Sequence, residues 1–433
     1  TVVSSRTRLS ANDEALLSYD KALSLKADFA EVWEHRGHAL LSMGRSDDAF
    51  ASYDQAASYR PAHAQPRIAR GLAFIALKRY EDALGCFDQA LALEPQNFEA
   101  LFQRANALLY LKRPAEALSP LDACLNVRPD HPDVWVSRGA ALAGLSRYED
   151  ALPCYERALA LKPDCLEAHV NCAIAFNALK RPAEAVASAD VALLLRSAEH
   201  AALFERANAL GALSRFDEAI RDYERLLELN VDYPLAGNLL HCRLHCCDWR
   251  HFIDERAAVE QSIRDGKSVA SAFQYVFHCR SAADQLACAK LWVQTVIPPR
   301  EPLWRGERYA HERIRIAYLS EDFRAHAVAS LMAGVWEAHD SARYETFAIS
   351  LGNDDGSEMR ARVQRSFEHF IDVRNRSDDE IAALLREREI DIVVDLAGYS
   401  GYCRPGIVAL RAAPVQVNYL GYPASMGADF IDY

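Results

Sequence analysis

The sequence predicts an α-solenoid followed by an α/β, Rossmann-like domain, and three observations predict this order. Seven alanines recur with a spacing of 34 residues from Ala15 to Ala219. This period is lost after Val231, where helical patterns without a repeat follow. From Arg313 onward, β-branched and aromatic runs alternate with helical patterns, which is typical of a parallel sheet with helical crossovers. The predicted domains are a repeat region at 1–231, a helical linker at 232–305 and a sheet domain at 306–433.

Each 34-residue unit is predicted to hold two helices, A and B, and an alanine marks helix B. The seven alanines are Ala15, Ala49, Ala83, Ala117, Ala151, Ala185 and Ala219. Mostly aromatic residues follow four positions later, small residues twelve positions earlier let helix A approach closely, and prolines stop helix B. This pattern resembles the tetratricopeptide repeat, whose stacked units form a superhelix with a groove for peptides or proteins. Six units are complete, and the first is only a helix B.

Two sets of polar side chains recur in the repeats. Arginines of helix A and acids of helix B each share one position, as in Arg36, Arg70, Arg104, Arg138 and Arg206 against Asp20, Asp54, Asp88, Asp122, Glu156, Asp190 and Glu224. We favour ion pairs between neighbouring repeats over a charged recognition groove. The better groove candidates are the amides of Asn106, Asn171, Asn177 and Asn208, which could bind the backbone of an acceptor peptide. Ordinary solvated surface is the alternative for them.

Composition excludes several classes of function. The formal net charge of −12 argues against binding to nucleic acid or anionic membrane. No apolar run reaches the ~20 residues of a membrane span, and no secretory signal is evident. Eleven cysteines in 433 residues do not form a disulfide framework, so a cytoplasmic location is expected. Residue 1 is Thr and Tyr433 follows a strand-rich run without a closing element, so we expect a fragment of a longer protein.

One cluster in the linker has the residue types of a metal site. His241 and His245 are spaced i,i+4, as are Cys242 and Cys246, so each pair shares a helix face. Structural zinc sites usually take their ligands from two separated pairs. We therefore interpret the cluster as a packed helix with small apolar cysteines, and we expect no metal.

The stretch from Arg313 to His326 begins as a strand and ends as a polar loop. Ser330 is predicted to cap the next helix, which should begin near Leu331. A loop after the carboxyl end of a strand is where open α/β sheets place their chemistry, and His326 is the residue there that can take a proton near neutral pH. The predicted strands are 313–320, 344–351, 369–373, 391–396 and 415–420.

Several motifs together carry a second resemblance. They are Arg315-Ile-Ala-Tyr-Leu-Ser-Glu-Asp-Phe with His326, Asp354-Asp-Gly356, His369-Phe-Ile-Asp372, Gly398-Tyr399, Leu410-Arg-Ala-Ala-Pro-Val-Gln416, Leu420-Gly-Tyr-Pro423, Asp432-Tyr433 and, in the linker, Cys247-Asp-Trp249. The chain resembles the O-linked N-acetylglucosamine transferases, which join tetratricopeptide repeats to a two-lobed glycosyltransferase of the GT-B type. The family's loop usually reads Gly-Asn-His-Pro before a second His. Here it reads Arg324-Ala-His-Ala327, with Ser330 in place of that second His.

The resemblance implies a site in the first lobe. His326 would be the catalytic residue beside the sugar, as a base or as an orienting group. The substrate-binding candidates are His369, Gly398, Tyr399, Gly421, Tyr422 and Pro423. Glycine and proline there would let backbone approach a ligand, with turn formation as the alternative. For His369 the alternative is a strand-edge histidine bonded to backbone. The second lobe, with the nucleotide site, would follow Tyr433.

Three functions remain open at this point. The first is a protein O-GlcNAc transferase that uses UDP-GlcNAc and inverts the sugar on transfer to Ser or Thr hydroxyls of proteins bound by the repeats. The second is an O-fucosyltransferase of the spindly type that uses GDP-fucose. The third is a repeat scaffold without catalysis. His369-Phe-Ile-Asp372 favours the first. No cofactor is expected beyond the sugar-nucleotide donor, and the fragment alone is expected to be inactive.

Overall fold

The computed structural model describes residues 2–231, 235–297, 299–400 and 403–433, with side chains from residue 12 onward. The chain divides into two compact units, Thr1–Leu213 and Ser214–Tyr433, each with a core of its own. This division falls inside the last repeat. The predicted domain limits at 231 and 305 stay a prediction.

The first unit is a series of helices, all within the part of the chain that the structure describes. They are α1 Val2–Leu25, α2 Ala30–Ser42, α3 Ser46–Tyr59, α4 Gln65–Ala76, α5 Tyr80–Leu93, α6 Phe98–Tyr110, α7 Pro114–Val127, α8 Pro132–Gly144, α9 Tyr148–Leu161, α10 Leu166–Ala178, α11 Pro182–Leu195 and α12 His200–Ala212. The even-numbered helices are the A helices, and the odd-numbered ones are the B helices. The predicted repeat architecture is therefore confirmed.

Close contact between helix A and helix B of one repeat depends on small residues at fixed positions. Six of the seven recurrent alanines, from Ala49 to Ala219, are fully buried. Gly71 lies against the ring of Phe87 and Gly139 against the ring of Tyr155, and a Cβ at either glycine would overlap the ring. The aromatic ring on helix B thus occupies the space that a larger side chain on helix A would need. This complementarity sets the distance between the helices.

The arginine ladder pairs with the acidic ladder, as predicted. Each arginine reaches the acid of the preceding B helix, at distances of 2.8 Å for Arg36–Asp20, 2.9 Å for Arg70–Asp54, 2.7 Å for Arg104–Asp88, 2.8 Å for Arg138–Asp122 and 2.6 Å for Arg206–Asp190. Cys172 stands where the series would place an arginine opposite Glu156. The ladder therefore joins successive repeats and is not an open recognition groove.

The second unit begins with helices and continues into a sheet. Its described elements are α13 Phe216–Glu228, α14 Leu235–His245, α15 Phe252–Arg264, α16 Ala272–Val276, α17 Ala282–Val296, β1 Ile314–Ser320, α18 Ala327–Glu337, β2 Tyr344–Ser350, α19 Glu358–Ser366, β3 His369–Asp372, α20 Asp378–Glu387, β4 Ile392–Asp395, α21 Pro405–Ala409 and β5 Val415–Asn418. All strand pairs are parallel, in the order β3-β2-β1-β4-β5.

Helices cover both faces of the sheet, as the near-continuous apolar strands require. Ile316 and Tyr318 of β1 pack with Trp336 of α18 in one core. Ala317 and Leu319 pack in the other core, with residues of α20 and α21. The result is a three-layer, doubly wound domain, so the predicted Rossmann-like fold and the five predicted strands are confirmed.

The predicted start of α18 is wrong. The helix begins at Ala327, and His326 is its N-cap, with Nδ1 3.3 Å from the amide nitrogen of Val328. The hydroxyl of Ser330 donates to the carbonyl of His326 at 3.0 Å, so Ser330 lies inside the first turn. A serine in a helix can bond back to the carbonyl four residues earlier, and the sequence does not separate that role from capping.

Among the described residues, no helix is long and apolar enough to cross a membrane.

Replacing Ala117 by leucine tests the register of the repeats. Ala117 is fully buried at the A–B contact, so the larger side chain should overpack the unit and cost roughly 1–3 kcal/mol. The denaturant midpoint of helix loss, followed by circular dichroism, should fall. Ala115→Leu, at an exposed position of the same helix, is the matched control. An unchanged midpoint in Ala117→Leu would contradict the register.

Candidate functional site

The strand order places a crevice between β1 and β4. From β1 the chain winds outward to β2 and β3, and then returns to the other side of β1 for β4 and β5. In open α/β sheets, ligands bind outside the carboxyl ends of the strands at this point of reversal. The loop after Ser320 and the loop after Asp395 flank the crevice. The first of these loops carries His326.

The loop from Glu321 to His326 is anchored by its central residue. Phe323 is fully buried, with its ring 5.3 Å from that of Trp336 and 5.7 Å from that of Phe367. The carbonyl of Glu321 lies so close to Gly352 that a Cβ at Gly352 would overlap it. The loops after β1 and β2 are therefore packed backbone to backbone.

Polar bonds hold the same loop from the β2 side. The guanidinium of Arg360, with its side chain only 3% exposed, donates to the carbonyl of Phe323 at 2.9 Å and to Ser350 Oγ at 2.8 Å. The carboxylate of Asp355 accepts the amide proton of Ala325 at 2.9 Å. Hydrogen bonds from backbone amides lower the pKa of Asp355 to about 2, so it stays charged. The backbone around His326 is thus fixed on both sides.

His326 itself is partly open to solvent. Its side chain is 42% exposed, and Nδ1 lies 3.3 Å from Asp322 Oδ2. The Asp322 side chain is 13% exposed, and its Oδ1 accepts from Arg324 at 3.1 Å. The predicted position of His326, after the carboxyl end of β1, agrees with the structure. Its catalytic role stays a prediction.

The structure does not bring His369 to His326. His369 opens β3, opposite Phe347, and its ring stacks on that of Phe347 at 4.3 Å. Its Nε2 lies 2.9 Å from Glu345 Oε1, in the half of the sheet where Arg315 also contacts Glu345. Those contacts favour a structural role for His369. Its partners are a carboxylate and an aromatic ring, whereas the alternative considered above was a bond to backbone. The predicted substrate role of His369 is untested.

Gly398 and Gly421 allow the loops after β4 and β5 to pack together. Gly398 has a φ of +57°, and a Cβ there would overlap Tyr422. A Cβ at Gly421 would overlap the carbonyl oxygen of Leu396. Both glycines are therefore needed for contact between protein loops. The predicted approach to a ligand is an additional role that stays a prediction.

The two tyrosines beside these glycines are buried. The hydroxyl of Tyr399 donates to the carbonyl of Met426 at 2.8 Å, and the ring lies 4.6 Å from that of Trp292. The hydroxyl of Tyr422 accepts from Gln285 at 3.1 Å, and burial raises the pKa of Tyr422 to about 12. These side chains attach the loops to the helices before the sheet. Only their backbone, or the exposed Pro423, remains for the predicted substrate contact.

Leu420, directly before Gly421 in the loop after β5, has a strained backbone. Its φ is +71°, and the amide of Gly421 donates to the carbonyl of Tyr419 at 2.9 Å, which makes a γ-turn of the rare left-handed kind. A leucine in this conformation costs free energy, and such strain concentrates at ligand sites. Sequence reasoning found the Leu-Gly-Tyr-Pro motif but not its strain, because backbone angles depend on the surrounding packing.

Asp395 is a titratable group at the crevice that sequence reasoning missed. It ends β4 beside Leu319 of β1, and its Oδ1 accepts the amide protons of Ala397 at 2.9 Å and Gly398 at 3.2 Å. Burial raises the pKa of Asp395 to about 6. The sequence signal that could have indicated it is an acidic residue directly after the apolar run Ile-Val-Val of β4. A buried acid with a shifted pKa in a cleft is a functional candidate.

Most of the asparagines predicted to line the groove already bond to other residues of the chain. Asn106 Oδ1 accepts from Ser137 Oγ at 3.1 Å, which joins helices α6 and α8. Asn177 donates to the carbonyl and the carboxylate of Glu205, at 2.8 and 2.7 Å. Asn208 also has a partner. Asn171 is half-buried and makes no such bond to any described residue, so its amide is the one of these four that could meet a peptide without first breaking a contact.

The cluster of histidines and cysteines in α14 is packed as a helix. Cys242 is buried, the ring of His245 stacks on that of Phe216 at 4.4 Å, and burial lowers the pKa of His241 to about 4. Within the described ranges, no group of three His, Cys, Asp or Glu side chains is arranged to hold a metal ion.

Replacing Asp395 by asparagine tests the environment of this acid. Because the folded state raises the pKa of Asp395 from 3.8 to about 6, this group stabilises the fold below pH 4 and loses that contribution as pH rises through 6. The side-chain oxygen of the asparagine would still accept both amide protons, without a buried charge. Asp395→Asn should therefore gain roughly 1–3 kcal/mol of unfolding free energy at pH 7.5 and little at pH 4.

Urea unfolding at both pH values, followed by tryptophan fluorescence to which the buried Trp336 contributes, measures this difference. Asp429→Asn, at an exposed loop position, is the control. A loss of stability in Asp395→Asn at pH 7.5 would contradict the raised pKa.

Comparison with known proteins assigns both parts of the chain. Residues 292–433 match the family described as glycosyl transferase family 41. Tetratricopeptide repeat families match residues 35–97, 68–133, 132–165 and 200–232.

Curated relatives cover a limited part of the chain. A protein of Arabidopsis thaliana named probable UDP-N-acetylglucosamine–peptide N-acetylglucosaminyltransferase SEC is 40% identical over 122 residues, which are 28% of this chain and 12% of that protein. A second Arabidopsis protein, with the same enzyme name and the designation SPINDLY, is 30% identical over 145 residues, 33% of this chain and 16% of that protein. The chain thus matches well under a fifth of the length of either relative.

A solved structure of a mutant O-GlcNAc transferase from Thermobaculum terrenum is also similar. It is 22% identical, covers 70% of this chain and 52% of that chain, and superposes with a TM-score of 0.40. This structural likeness carries no argument by itself; the family matches alone identify residues 292–433 as a glycosyltransferase family 41 region that tetratricopeptide repeats precede.

Proposed function

We propose that the protein transfers N-acetylglucosamine from UDP-GlcNAc to serine or threonine hydroxyls of proteins held by its repeats. The observation that carries this proposal is the position of His326, exposed beside the β1–β4 crevice of a glycosyltransferase family 41 region. The printed names of the relatives, which specify UDP-N-acetylglucosamine and a peptide acceptor, support the choice of donor and acceptor.

The geometry suits proton removal from an acceptor hydroxyl. In the proposed step, the hydroxyl oxygen attacks the anomeric carbon from the side opposite the diphosphate. The new carbon–oxygen bond forms as the bond to phosphate breaks, and the leaving diphosphate takes the electron pair. The hydroxyl proton passes to the exposed ring nitrogen of His326. Such a positioned base contributes about 10²–10⁴-fold, and alignment of the reactants contributes more.

The loop from Glu321 to His326 is held in a fixed position, which suits a catalytic base. A base has to be within hydrogen-bond reach of the proton it removes, and small displacements are costly. Phe323, Arg360 and Asp355 each hold the backbone next to His326 through buried or charge-assisted contacts. We include metal-independent transfer in the proposal, which EDTA treatment would test.

The repeats support a protein acceptor. Tetratricopeptide repeats stack A helices side by side into an extended surface, and the half-buried amide of Asn171 lies on one of them. We propose that acceptor proteins bind along the A helices and that Asn171 hydrogen-bonds their backbone. A cytoplasmic location remains part of the proposal.

A panel of donors tests the reaction type. The full-length natural protein should release UDP from UDP-GlcNAc in the presence of acceptor protein and label that protein with the sugar. Preferential turnover of GDP-fucose would replace the donor in this proposal by the alternative one. No turnover of any sugar nucleotide would favour a repeat scaffold.

His326→Ala tests the residue. Transfer should fall by at least about tenfold, the low side of what a general base supplies, while affinity for UDP changes little. His251→Ala, at an exposed histidine before α15, is the matched control and should leave transfer unchanged. Undiminished transfer in His326→Ala would leave His326 without a catalytic role.

A further inference from the structure

Two groups face the same ring nitrogen of His326. Nδ1 lies 3.3 Å from the amide nitrogen of Val328 and 3.3 Å from Asp322 Oδ2. Val328 N–H is a donor, so that bond needs an unprotonated Nδ1. The Asp322 carboxylate lies within ion-pair distance of Nδ1 without being in line for a hydrogen bond, and since a carboxylate only accepts, a hydrogen bond between the two would need a proton on Nδ1. A neutral imidazole satisfies one of the two contacts at a time.

The carboxylate is the stronger of the two partners. A hydrogen bond to an ionised acceptor is stronger than one between neutral groups, and Asp322 is largely withdrawn from water, which strengthens the interaction. An unprotonated Nδ1 would set its lone pair against that carboxylate. The Nδ1–H tautomer is therefore favoured. In that tautomer the amide of Val328, in the first turn of α18, loses its hydrogen bond to Nδ1. Nε2, the other ring nitrogen, then carries a lone pair.

Asp322 is itself held in place. Its amide donates to Ser320 Oγ at 3.0 Å, the next residue is the buried Phe323, and Arg324 occupies its other carboxylate oxygen at 3.1 Å. With Oδ1 engaged by Arg324, Oδ2 is left for His326. Arg324, Asp322 and His326 thus form a chain of charge-assisted contacts within one short loop.

We propose that Asp322 is a positioning residue that fixes His326 as the Nδ1–H tautomer, so that Nε2 accepts the proton of the acceptor hydroxyl. This inference rests on the proposed transfer reaction. When the hydroxyl oxygen bonds to the anomeric carbon and the diphosphate leaves with the electron pair, the proton moves to Nε2. The resulting imidazolium donates from Nδ1 to Asp322, which offsets its positive charge.

Nitrogen NMR of the histidine rings tests the tautomer without any assay of transfer. The 433-residue chain, labelled with ¹⁵N-histidine, has 14 histidines, and His326→Gln identifies the signal of His326 by its loss. The wild-type ring should be protonated at Nδ1. In Asp322→Ala it should change to the Nε2–H form, with Nδ1 accepting from Val328. Asp340→Ala, at an exposed loop aspartate that also bonds a local amide, should leave His326 unchanged.

An Nε2–H ring in the wild-type chain, or the same tautomer with and without Asp322, would overturn the inference. Asp322→Asn is the second variant, since it keeps the size of the side chain and so guards against a loop disturbed by alanine. Its amide oxygen is uncharged, so the Nδ1–H form should lose population relative to the wild type. Equal populations in Asp322→Asn and the wild type would also count against it.

Kinetics then connects the tautomer to the reaction. In the full-length natural protein, Asp322→Asn should lower kcat about tenfold or more, with little change in the KM for acceptor protein, because the base is disoriented while binding is kept. A rise in KM at constant kcat would assign Asp322 to binding and overturn the positioning role. Absence of transfer in the wild type would refute the proposed function and leave the NMR result to decide the tautomer.

Discussion

A single buried guanidinium connects the parts of the candidate site. Arg360, in α19, bonds the carbonyl of Phe323 and the hydroxyl of Ser350, which lie at the carboxyl ends of neighbouring strands β1 and β2. Its guanidinium also lies over the ring of Phe370 at 4.4 Å. Burial lowers the pKa of Arg360, yet an arginine remains charged at neutral pH. The loop that carries Asp322 and His326 depends on this contact for its position.

In the repeats, too, side-chain contacts connect neighbouring elements, but different groups make them. Small residues and rings set the distance between helices, and the arginine–acid ladder connects one repeat to the next. These surface ion pairs each contribute little free energy, but they occupy charged side chains that a groove could otherwise offer to a partner. Of the four asparagines considered, only Asn171 is left for the proposed binding of an acceptor.

Periodic features of the sequence were sufficient to predict the fold. The 34-residue period and the alternation of strands and helices both reflect local geometry, so the repeats and the five strands could be placed, although the predicted strands extend one or two residues beyond the observed ends. The start of α18 could not, because His326 and Ser330 are both able to cap a helix. The choice depends on how Phe323 anchors the preceding loop.

The site was predicted in part. The place of His326 follows from its motif and from the rule for parallel sheets. The burial of Tyr399 and Tyr422 depends on helices more than 100 residues earlier in the chain, such as the one that carries Gln285. The neighbours of His369 and Asp395 are likewise set by strand pairing. No local pattern in the sequence reports contacts of this kind.

Hydrogen–deuterium exchange of the amides from Asp322 to His326 in Arg360→Lys tests the central claim most directly. Lysine keeps the charge but cannot bridge Phe323 and Ser350 in the same geometry, and losing a hydrogen bond from a charged donor costs roughly 1.5–3 kcal/mol. Exchange in this loop should therefore rise about tenfold or more, and transfer by the full-length natural protein should fall with it. Arg362→Lys, at an arginine of the same helix whose side chain is 43% exposed and pairs with Glu337, is the control. Unchanged exchange and unchanged transfer in Arg360→Lys would contradict the claim that this contact holds the His326 loop.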